Sequence, residues 1–271
     1  MSHSTLTREI SEEEITTFET DGIVCLRGLF SEDWVERMRA SAQSSLDNPG
    51  DLHAELTTQR GESGRFFHDT FIWIRNRTCR EFVFSSPAAV IASKLMRSEK
   101  INIFFDQWLI KEPGTETKTP WHHDMTYWPI DGSQICTLWL ALDAVTAQSG
   151  AVEYVKGSHK WGQKYRPASF SGGSQYTEDI PDVPDIDAMR GEVEIAQFDL
   201  APGDCTVHHG LTVHGAPGNR STDIRRRAHT SRWTGDDVIF HPRDGIQEMP
   251  PMPDIASGGP IDSELWPRIV G

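Results

Sequence analysis

Three residues with metal-ligating side chains stand out in this 271-residue sequence. His122 and Asp124 are separated by one residue, and His214 follows Asp124 after 214 − 124 = 90 positions. Two imidazoles and one carboxylate can occupy one face of an octahedral Fe(II), which leaves the opposite face for substrate and dioxygen. In a strand, residues i and i+2 point to the same side, so His123 would point away from the metal. The spacing therefore predicts a catalytic iron site at His122, Asp124 and His214.

The residues alone leave the third ligand open. A His-x-Asp pair is weak evidence by itself, because most chance matches are surface turns or core histidines with hydrogen-bond partners. His208 and His209 compete with His214, since all three lie in one short segment. The small residues at 215–218 end the strand of His214 immediately, so a turn with an incidental histidine is the alternative interpretation.

A third ligand this distant in sequence requires a fold that brings remote strands together. Two helices followed by many short strands at turn-rich intervals predict a mainly β jelly roll with N-terminal flanking helices. Ser11 and Glu14 form a capping box for the first helix, and Ser31 caps the second. We predict strands at 23–26, 65–75, 101–110, 135–142, 151–155, 192–198, 205–208 and 225–233, and a short helix at 82–96. In 65–75, the choice lies between a strand with one core face and a wall of the substrate pocket.

The whole chain, 1–271, is predicted to form one domain with its core at about 101–240. From about 161 to 190 the sequence becomes rich in Gly, Ser, Pro and Asp. A loop of this length inside a compact domain is usually a lid, a binding loop or a disordered segment, and we predict a mobile lid that orders over the substrate. After Pro242 the chain has no periodicity, and we expect it to wrap the surface.

Composition excludes several classes of function. A formal net charge of −14 argues against general binding to nucleic acid or to anionic membranes. The four cysteines form no Cys-x-x-Cys pair, which favours buried thiols in a reducing compartment. Residues 1–14 contain no apolar segment of the signal-peptide type, and no apolar run approaches membrane-spanning length. We expect a soluble, cytoplasmic protein whose partner is a small molecule; its oligomeric state stays open.

Five motifs occur in an order that resembles a known family. They are Trp121-His122-His123-Asp124, Tyr127-Trp128-Pro129, Gly150-Ala151, Gly157-Ser158-His159-Lys160, and His214-Gly215 with Asn219-Arg220-Ser221 and Arg225-Arg226-Arg227-Ala228. Together they resemble the phytanoyl-CoA dioxygenase family of Fe(II)/2-oxoglutarate oxygenases, best between about 101 and 233. The resemblance implies a double-stranded β-helix of the cupin-like jelly-roll type, with iron bound by His122, Asp124 and His214.

The resemblance also implies how the co-substrate binds. The 2-oxo acid end of 2-oxoglutarate would chelate iron, and its distal carboxylate would meet Arg225, which lies 225 − 214 = 11 positions after His214. Arg227 would share a face with Arg225 on a regular strand and is the alternative anchor. Residues expected to line the co-substrate pocket are Gln107, Trp139 and, with weaker support, Thr137. His123 departs from the family, where Gln is common.

The implied reaction consumes O2 and 2-oxoglutarate, releases succinate and CO2, and hydroxylates a small molecule. An intact Asp124 favours hydroxylation, because related halogenases replace the carboxylate with a small residue. The same cofactor chemistry could instead end in desaturation, epimerisation or cyclisation, and a non-catalytic jelly-roll binding protein is a further alternative. Candidates for an aromatic substrate pocket with cationic anchors are Phe67, Trp73, Arg75, Tyr127, Trp128 and Arg232.

Overall fold

Two antiparallel sheets enclose a cavity and position the candidate ligands on its walls. The computed structural model describes residues 6–56, 64–167 and 178–271. The helices are α1 (Glu12–Asp21), α2 (Glu32–Asp47), α3 (Ile72–Arg75), α4 (Arg77–Ser85) and α5 (Ala88–Met96). The strands are β1 (Ile23–Leu26), β2 (His53–Glu55), β3 (Phe66–Thr70), β4 (Ile101–Lys111), β5 (Thr119–His122), β6 (Ile130–Asp131), β7 (Ile135–Ala141), β8 (Glu153–Val155), β9 (Ile195–Gln197), β10 (Cys205–His209), β11 (His214–Ala216), β12 (Arg226–Thr234), β13 (Ile239–Phe240) and β14 (Arg268–Val270).

The strand order is that of a jelly roll. The major sheet runs β1-β10-β7-β12-β4-β3-β2, with β14 paired to β4, and the minor sheet runs β5-β11-β8-β9. β6 and β13 form a separate two-stranded ribbon. Neighbours within each sheet are distant in sequence, so residues far apart along the chain reach one cavity. Among the described residues, no helix is both long enough and apolar enough to cross a membrane.

Alternating side chains on β7 separate the core from the cavity. Cys136, Leu138 and Leu140 pack in the apolar core that includes the helices, whereas Thr137 and Trp139 line the cavity. The strand therefore forms one wall of the cavity.

The predicted N-terminal helix starts are confirmed. Ser11 Oγ accepts a hydrogen bond from the backbone N–H of Glu14 at 3.1 Å, and Ser11 N–H donates to Glu14 Oε2 at 2.9 Å. This is the reciprocal capping box that satisfies two unpaired donors of α1. Ser31 Oγ accepts from the N–H of Trp34 and caps α2 in the same position.

Two predicted elements are wrong in their extent. The strand expected over 65–75 ends at Thr70, because Phe71 adopts a left-handed conformation (φ 54°) and α3 follows. The single helix expected over 82–96 is two helices, α4 and α5, which are separated at Pro87. Proline has no N–H to continue the hydrogen-bond ladder of a helix.

The two long irregular segments differ from each other. The predicted lid at 161–190 includes residues 168–177, which lie outside the described part of the chain. The tail after Pro242 does more than wrap the surface. Its Trp266 is buried against Phe104, with ring centroids 5.3 Å apart, and β14 joins the major sheet.

Candidate metal and co-substrate site

The first feature of the site is the pairing of β5 with β11. His122 at the end of β5 lies directly opposite His214 at the start of β11. Asp124 follows β5 and precedes a short 3-10 helix over Met125–Tyr127. His122 Nε2 and His214 Nε2 lie 3.8 and 4.0 Å from the same carboxylate oxygen, Asp124 Oδ1. The three buried side chains place one ligand atom each within 4.8 Å of one another.

The orientation of both imidazoles is fixed by backbone carbonyls. His122 Nδ1 lies 2.8 Å from the carbonyl oxygen of Pro120, and His214 Nδ1 lies 2.9 Å from that of Thr212. A carbonyl oxygen only accepts, so each Nδ1 carries the proton and each Nε2 presents a lone pair toward Asp124. Second partners of this kind commonly orient metal-ligating histidines.

The protonation states also suit a divalent metal. Burial lowers the pKa of His122 and of His214 to about 3, so both rings are neutral near pH 7. Burial acts to raise the pKa of Asp124, but the neighbouring histidines and Arg232 hold it well below its usual range. Metal binding requires neutral imidazoles and an ionised carboxylate. The donor set therefore fits an iron ion.

The other oxygen of the carboxylate has its own partners. Thr137 Oγ1 donates a hydrogen bond of 2.7 Å to Asp124 Oδ2. His208 on β10 is buried, lines the cavity, and places Nε2 3.4 Å from Asp124 Oδ2. His209 points elsewhere and donates from Nε2 to the carbonyl oxygen of Ser133 at 2.8 Å. Of the three competing histidines, only His214 shares a carboxylate oxygen with His122: both Nε2 atoms face Asp124 Oδ1, whereas His208 faces Oδ2 and His209 faces Ser133.

The cavity in front of these residues has a volume of about 520 Å³. Its walls come from both sheets. The major sheet contributes Gln107, Thr137, Trp139 and Thr230, and the minor sheet contributes His122, Tyr154 and His214. Its volume and its concave, mixed apolar and polar lining are typical of small-molecule sites. His123 faces away from it, and its Nε2 accepts a hydrogen bond of 2.8 Å from the N–H of Tyr165.

The candidate substrate residues fall into two groups. Tyr127, Trp128 and Arg232 line the cavity. Phe67, Trp73 and Arg75 do not, because Phe67 and Trp73 pack in the core behind the major sheet and Arg75 pairs with Asp69. These three expectations are corrected.

Three residues of β3 that the sequence did not indicate line the cavity instead. Phe66, His68 and Thr70 line the cavity, and Gln107 Nε2 lies 3.1 Å from His68 Nδ1. In a strand, residues 66, 68 and 70 share one face and residues 67 and 69 share the other. The local sequence does not show which of these two faces points into the cavity.

Comparison with known proteins identifies the family. The model of the phytanoyl-CoA dioxygenase (PhyH) family matches residues 18–228. The chain belongs to the phytanoyl-CoA dioxygenase family. Dioxygenase cdmD of Talaromyces verruculosus is 22% identical over 270 residues, covering 88% of this chain and 80% of that protein.

Solved structures of similar fold agree with the jelly-roll class. The α-ketoglutarate-dependent carbocyclase SnoK from nogalamycin biosynthesis matches with a TM-score of 0.77 and 24% identity, covering 98% of this chain and 99% of that chain. The epimerase SnoN, in complex with Fe3+, α-ketoglutarate (2-oxoglutarate) and nogalamycin RO, matches with a TM-score of 0.74 and 23% identity, covering 95% and 98%. The predicted family and the predicted cupin-like jelly roll are confirmed. Membership of the phytanoyl-CoA dioxygenase family indicates a dioxygenase that depends on iron and 2-oxoglutarate.

The arginine expected from the family spacing does not line the cavity, whereas its neighbour in the sequence does. Arg225 lies outside the cavity, where its Nε donates to Glu112 Oε2 at 2.8 Å. Arg227, the alternative, shares that outer face and pairs with Asp143 at 2.6 Å. Arg226 is only 2% exposed, lines the cavity and places its guanidinium 5.5 Å from the ring centroid of Trp139.

The reason for this difference is the register of β12. The strand begins at Arg226, and its even-numbered residues Arg226, Thr230 and Arg232 face the cavity. In a strand, a shift of one residue exchanges the two faces. Arg226 Nη1 donates to the carbonyl oxygen of Gly150 at 3.3 Å, and burial lowers the guanidinium pKa to about 10. Arg226 therefore remains a cation at neutral pH.

Proposed function

We propose that this member of the phytanoyl-CoA dioxygenase family hydroxylates a small molecule, consuming O2 and 2-oxoglutarate and releasing succinate and CO2. The observation that carries the proposal is the convergence of His122 Nε2 and His214 Nε2 on Asp124 Oδ1, at 3.8 and 4.0 Å, inside a cavity that also contains the buried Arg226. Fe(II) and 2-oxoglutarate, when bound, supply the oxidising chemistry.

The protein's own residues have three tasks in this proposal. His122, Asp124 and His214 hold the metal, and the hydrogen bond from Thr137 holds the carboxylate in place. The aromatic residues of the lining, among them Phe105, Trp128 and Trp139, are proposed to limit the access of water to the metal site. Tyr127 and Trp128 lie on the wall near the metal site and are proposed to contact the substrate.

Arg226 is proposed to anchor the distal carboxylate of 2-oxoglutarate. A guanidinium presents paired donors that match both oxygens of a carboxylate. Nε of Arg226 is buried and has no hydrogen-bond acceptor among the described residues, which leaves it available to a ligand. Trp139 supports the guanidinium from one side, and Gln107 and Thr137 line the same cavity at the level of the metal ligands.

A different outcome of the same cofactor chemistry is the second candidate. The similar structures of a carbocyclase and of an epimerase support it, since each matches this chain over nearly its whole length. The mass of the product separates the outcomes: hydroxylation adds one oxygen atom, cyclisation or desaturation removes two hydrogen atoms, and epimerisation leaves the mass unchanged. A non-catalytic binding protein is disfavoured by the complete set of metal ligands.

The test is a screen of small molecules for substrate-dependent release of succinate from the iron-loaded protein. A compound that stimulates succinate release and gains one oxygen atom supports the proposal. Anaerobic titrations of iron and of 2-oxoglutarate test the site without a substrate, and O2-dependent succinate release separates an oxygenase from a binding protein. If the folded protein binds neither, the proposed function is wrong.

A further inference from the structure

A second guanidinium is buried in the cavity, and no carboxylate among the residues that the structure describes forms an ion pair with it. Arg232 is 6% exposed, and its Nη1 and Nη2 donate to two neutral oxygens, Thr230 Oγ1 at 2.5 Å and Gln107 Oε1 at 2.7 Å. Nε is buried without an acceptor in the described part of the chain. The guanidinium lies over the ring of Phe105, 4.5 Å from its centroid. The local contacts therefore orient this cation without neutralising it.

Nearby carboxylates are already engaged or face water. Asp124 faces the imidazoles of His122 and His214, and its negative charge would be offset by the metal ion that it coordinates. Asp106 lies 3.1 Å from His229 behind the sheet. At the margin of the cavity, Glu55 pairs with Arg65 and Glu248 is exposed. Since a buried cation is costly unless it is paired, the missing partner of Arg232 points to a ligand.

The position of Arg232 separates it from the proposed co-substrate anchor. Arg232 pairs across the sheet with Thr137, whose hydroxyl binds Asp124, so it lies at the level of the metal ligands. Arg226 lies six residues away on the same strand face, roughly 20 Å between Cα atoms at about 3.3 Å per residue. A 2-oxoglutarate held by the metal and by Arg226 would thus extend from the metal toward Arg226, away from Arg232.

We propose that Arg232 is a specificity-determining residue that binds a carboxylate of the primary substrate. This inference rests on the proposed function. Nε–H and the second N–H of Nη2 form a side-on fork that fits a planar carboxylate. Phe105, Tyr127 and Trp128 lie around the same end of the cavity, so the substrate class is a compact carboxylic acid with an apolar or aromatic body.

The experiment compares Arg232→Gln with Arg227→Gln, a control on the outer face of the same strand. In the first arm, 2-oxoglutarate is titrated anaerobically into the iron-loaded proteins and the metal-to-ligand absorption band is followed. Arg232→Gln is expected to keep the affinity of the wild type within about threefold. A loss of tenfold or more would assign Arg232 to the 2-oxo acid end of the co-substrate and overturn the proposal.

In the second arm, the iron- and 2-oxoglutarate-loaded proteins are titrated with phenylacetate and with its neutral analogue phenylacetamide. Phenylacetate is expected to perturb the band in the wild type and in Arg227→Gln, and to bind at least about 10-fold more weakly to Arg232→Gln, as for the loss of a charge-assisted hydrogen bond. Equal binding of acid and amide by the wild type would overturn the inference, even if Arg232→Gln does not fold. Absence of the band in the wild type would instead contradict the proposed function.

Discussion

Each imidazole of the candidate metal site contacts a backbone carbonyl oxygen through Nδ1. This contact restricts the rotation of the ring before any metal binds. The Nδ1 contacts of His122 and His214 direct both Nε2 atoms toward Asp124. A site with this preorganisation should depend on all three side chains at once. His209, whose imidazole faces Ser133 outside the cavity, is a matched control.

We expect His122→Ala, Asp124→Ala and His214→Ala each to abolish turnover and to weaken iron binding strongly, because each removes one of the three proposed protein ligands. Iron content after dialysis and succinate release measure the two effects, and His209→Ala should retain both. Normal iron occupancy and turnover in a folded His214→Ala protein would exclude His214 as a ligand and favour His208, which lies 3.4 Å from Asp124.

The arginine anchor gives a second prediction at this scale. Arg226→Ala should weaken 2-oxoglutarate binding by about 10- to 150-fold, because a hydrogen bond to a charged partner contributes roughly 1.5–3 kcal/mol. Iron affinity should change little, since a guanidinium is not a metal ligand. An anaerobic titration of 2-oxoglutarate measures the affinity, and Arg225→Ala is the control on the opposite face. If Arg225→Ala loses affinity while Arg226→Ala does not, the register of β12 in the structure is not the functional one.

The sequence predicted the metal-ligand candidates but not the register of β12, because ligand candidates are recognised by residue type and spacing, whereas register depends on strand pairing. The types and spacing of His122, Asp124 and His214 point to a metal without knowledge of the fold. Three consecutive arginines, by contrast, alternate between two faces, and only the pairing of β12 with β4 and β7 decides that Arg226 is inward. That pairing depends on residues more than 80 positions away and leaves no local signal.

At the scale of elements, the corner between β3 and α3 shows how tertiary contacts override a local pattern. The aromatic run after Phe66 is typical of a continuous strand. In the structure, Asp106 Oδ1 accepts the N–H of Trp73 at 3.0 Å, and the Asp106 carbonyl oxygen accepts that of Phe71 at 2.9 Å. These contacts end the strand and direct Trp73 away from the cavity.

Asp106 is therefore expected to stabilise the corner strongly. Its second oxygen lies 3.1 Å from His229 Nε2, and both side chains are fully buried. Asp106→Ala leaves two buried donors unpaired, each at a cost of about 1–3 kcal/mol, so the free energy of unfolding should fall by at least about 2 kcal/mol. Denaturant unfolding followed by circular dichroism measures it.

Asp182 offers a control for this measurement. It pairs with Arg166 at the surface, and its side chain is 86% exposed. Asp182→Ala should change the free energy of unfolding by no more than about 0.5 kcal/mol. An equally small effect of Asp106→Ala would show that the corner is held by packing alone.

The whole molecule combines an acidic exterior with a cationic cavity. The net charge of −14 excludes general attraction to polyanions, yet two buried guanidinium groups, Arg226 and Arg232, line the cavity. The jelly-roll class followed from the order of helices, strands and family motifs. The local charge of the cavity did not follow from them, because it depends on which face of β12 is inward.

Buried neutral histidines should make stability depend on pH. Burial, with a contribution from His159, lowers the pKa of His209 to about 4, while the hydrogen bond to the backbone of Ser133 and the charge of Asp237 act in the opposite direction. Burial, with smaller contributions from His53 and Arg232, lowers the pKa of His68 to about 4 as well. An unfolded histidine has a pKa of about 6.5. Between these two values the unfolded chain binds more protons than the folded protein, so acidification favours unfolding.

We expect the free energy of unfolding of the chelator-treated protein to fall as the pH decreases from 7 to 5. Each such histidine contributes about 1.4 kcal/mol per pH unit between its two pKa values. Denaturant titrations at several pH values measure the slope, and His209→Asn should reduce it by that amount without removing it. The control is Ser44→Ala, an exposed and uncharged position on α2, which should leave the slope within error. A slope that is unchanged in His209→Asn would mean that His209 is already protonated, or reaches solvent, in the folded protein.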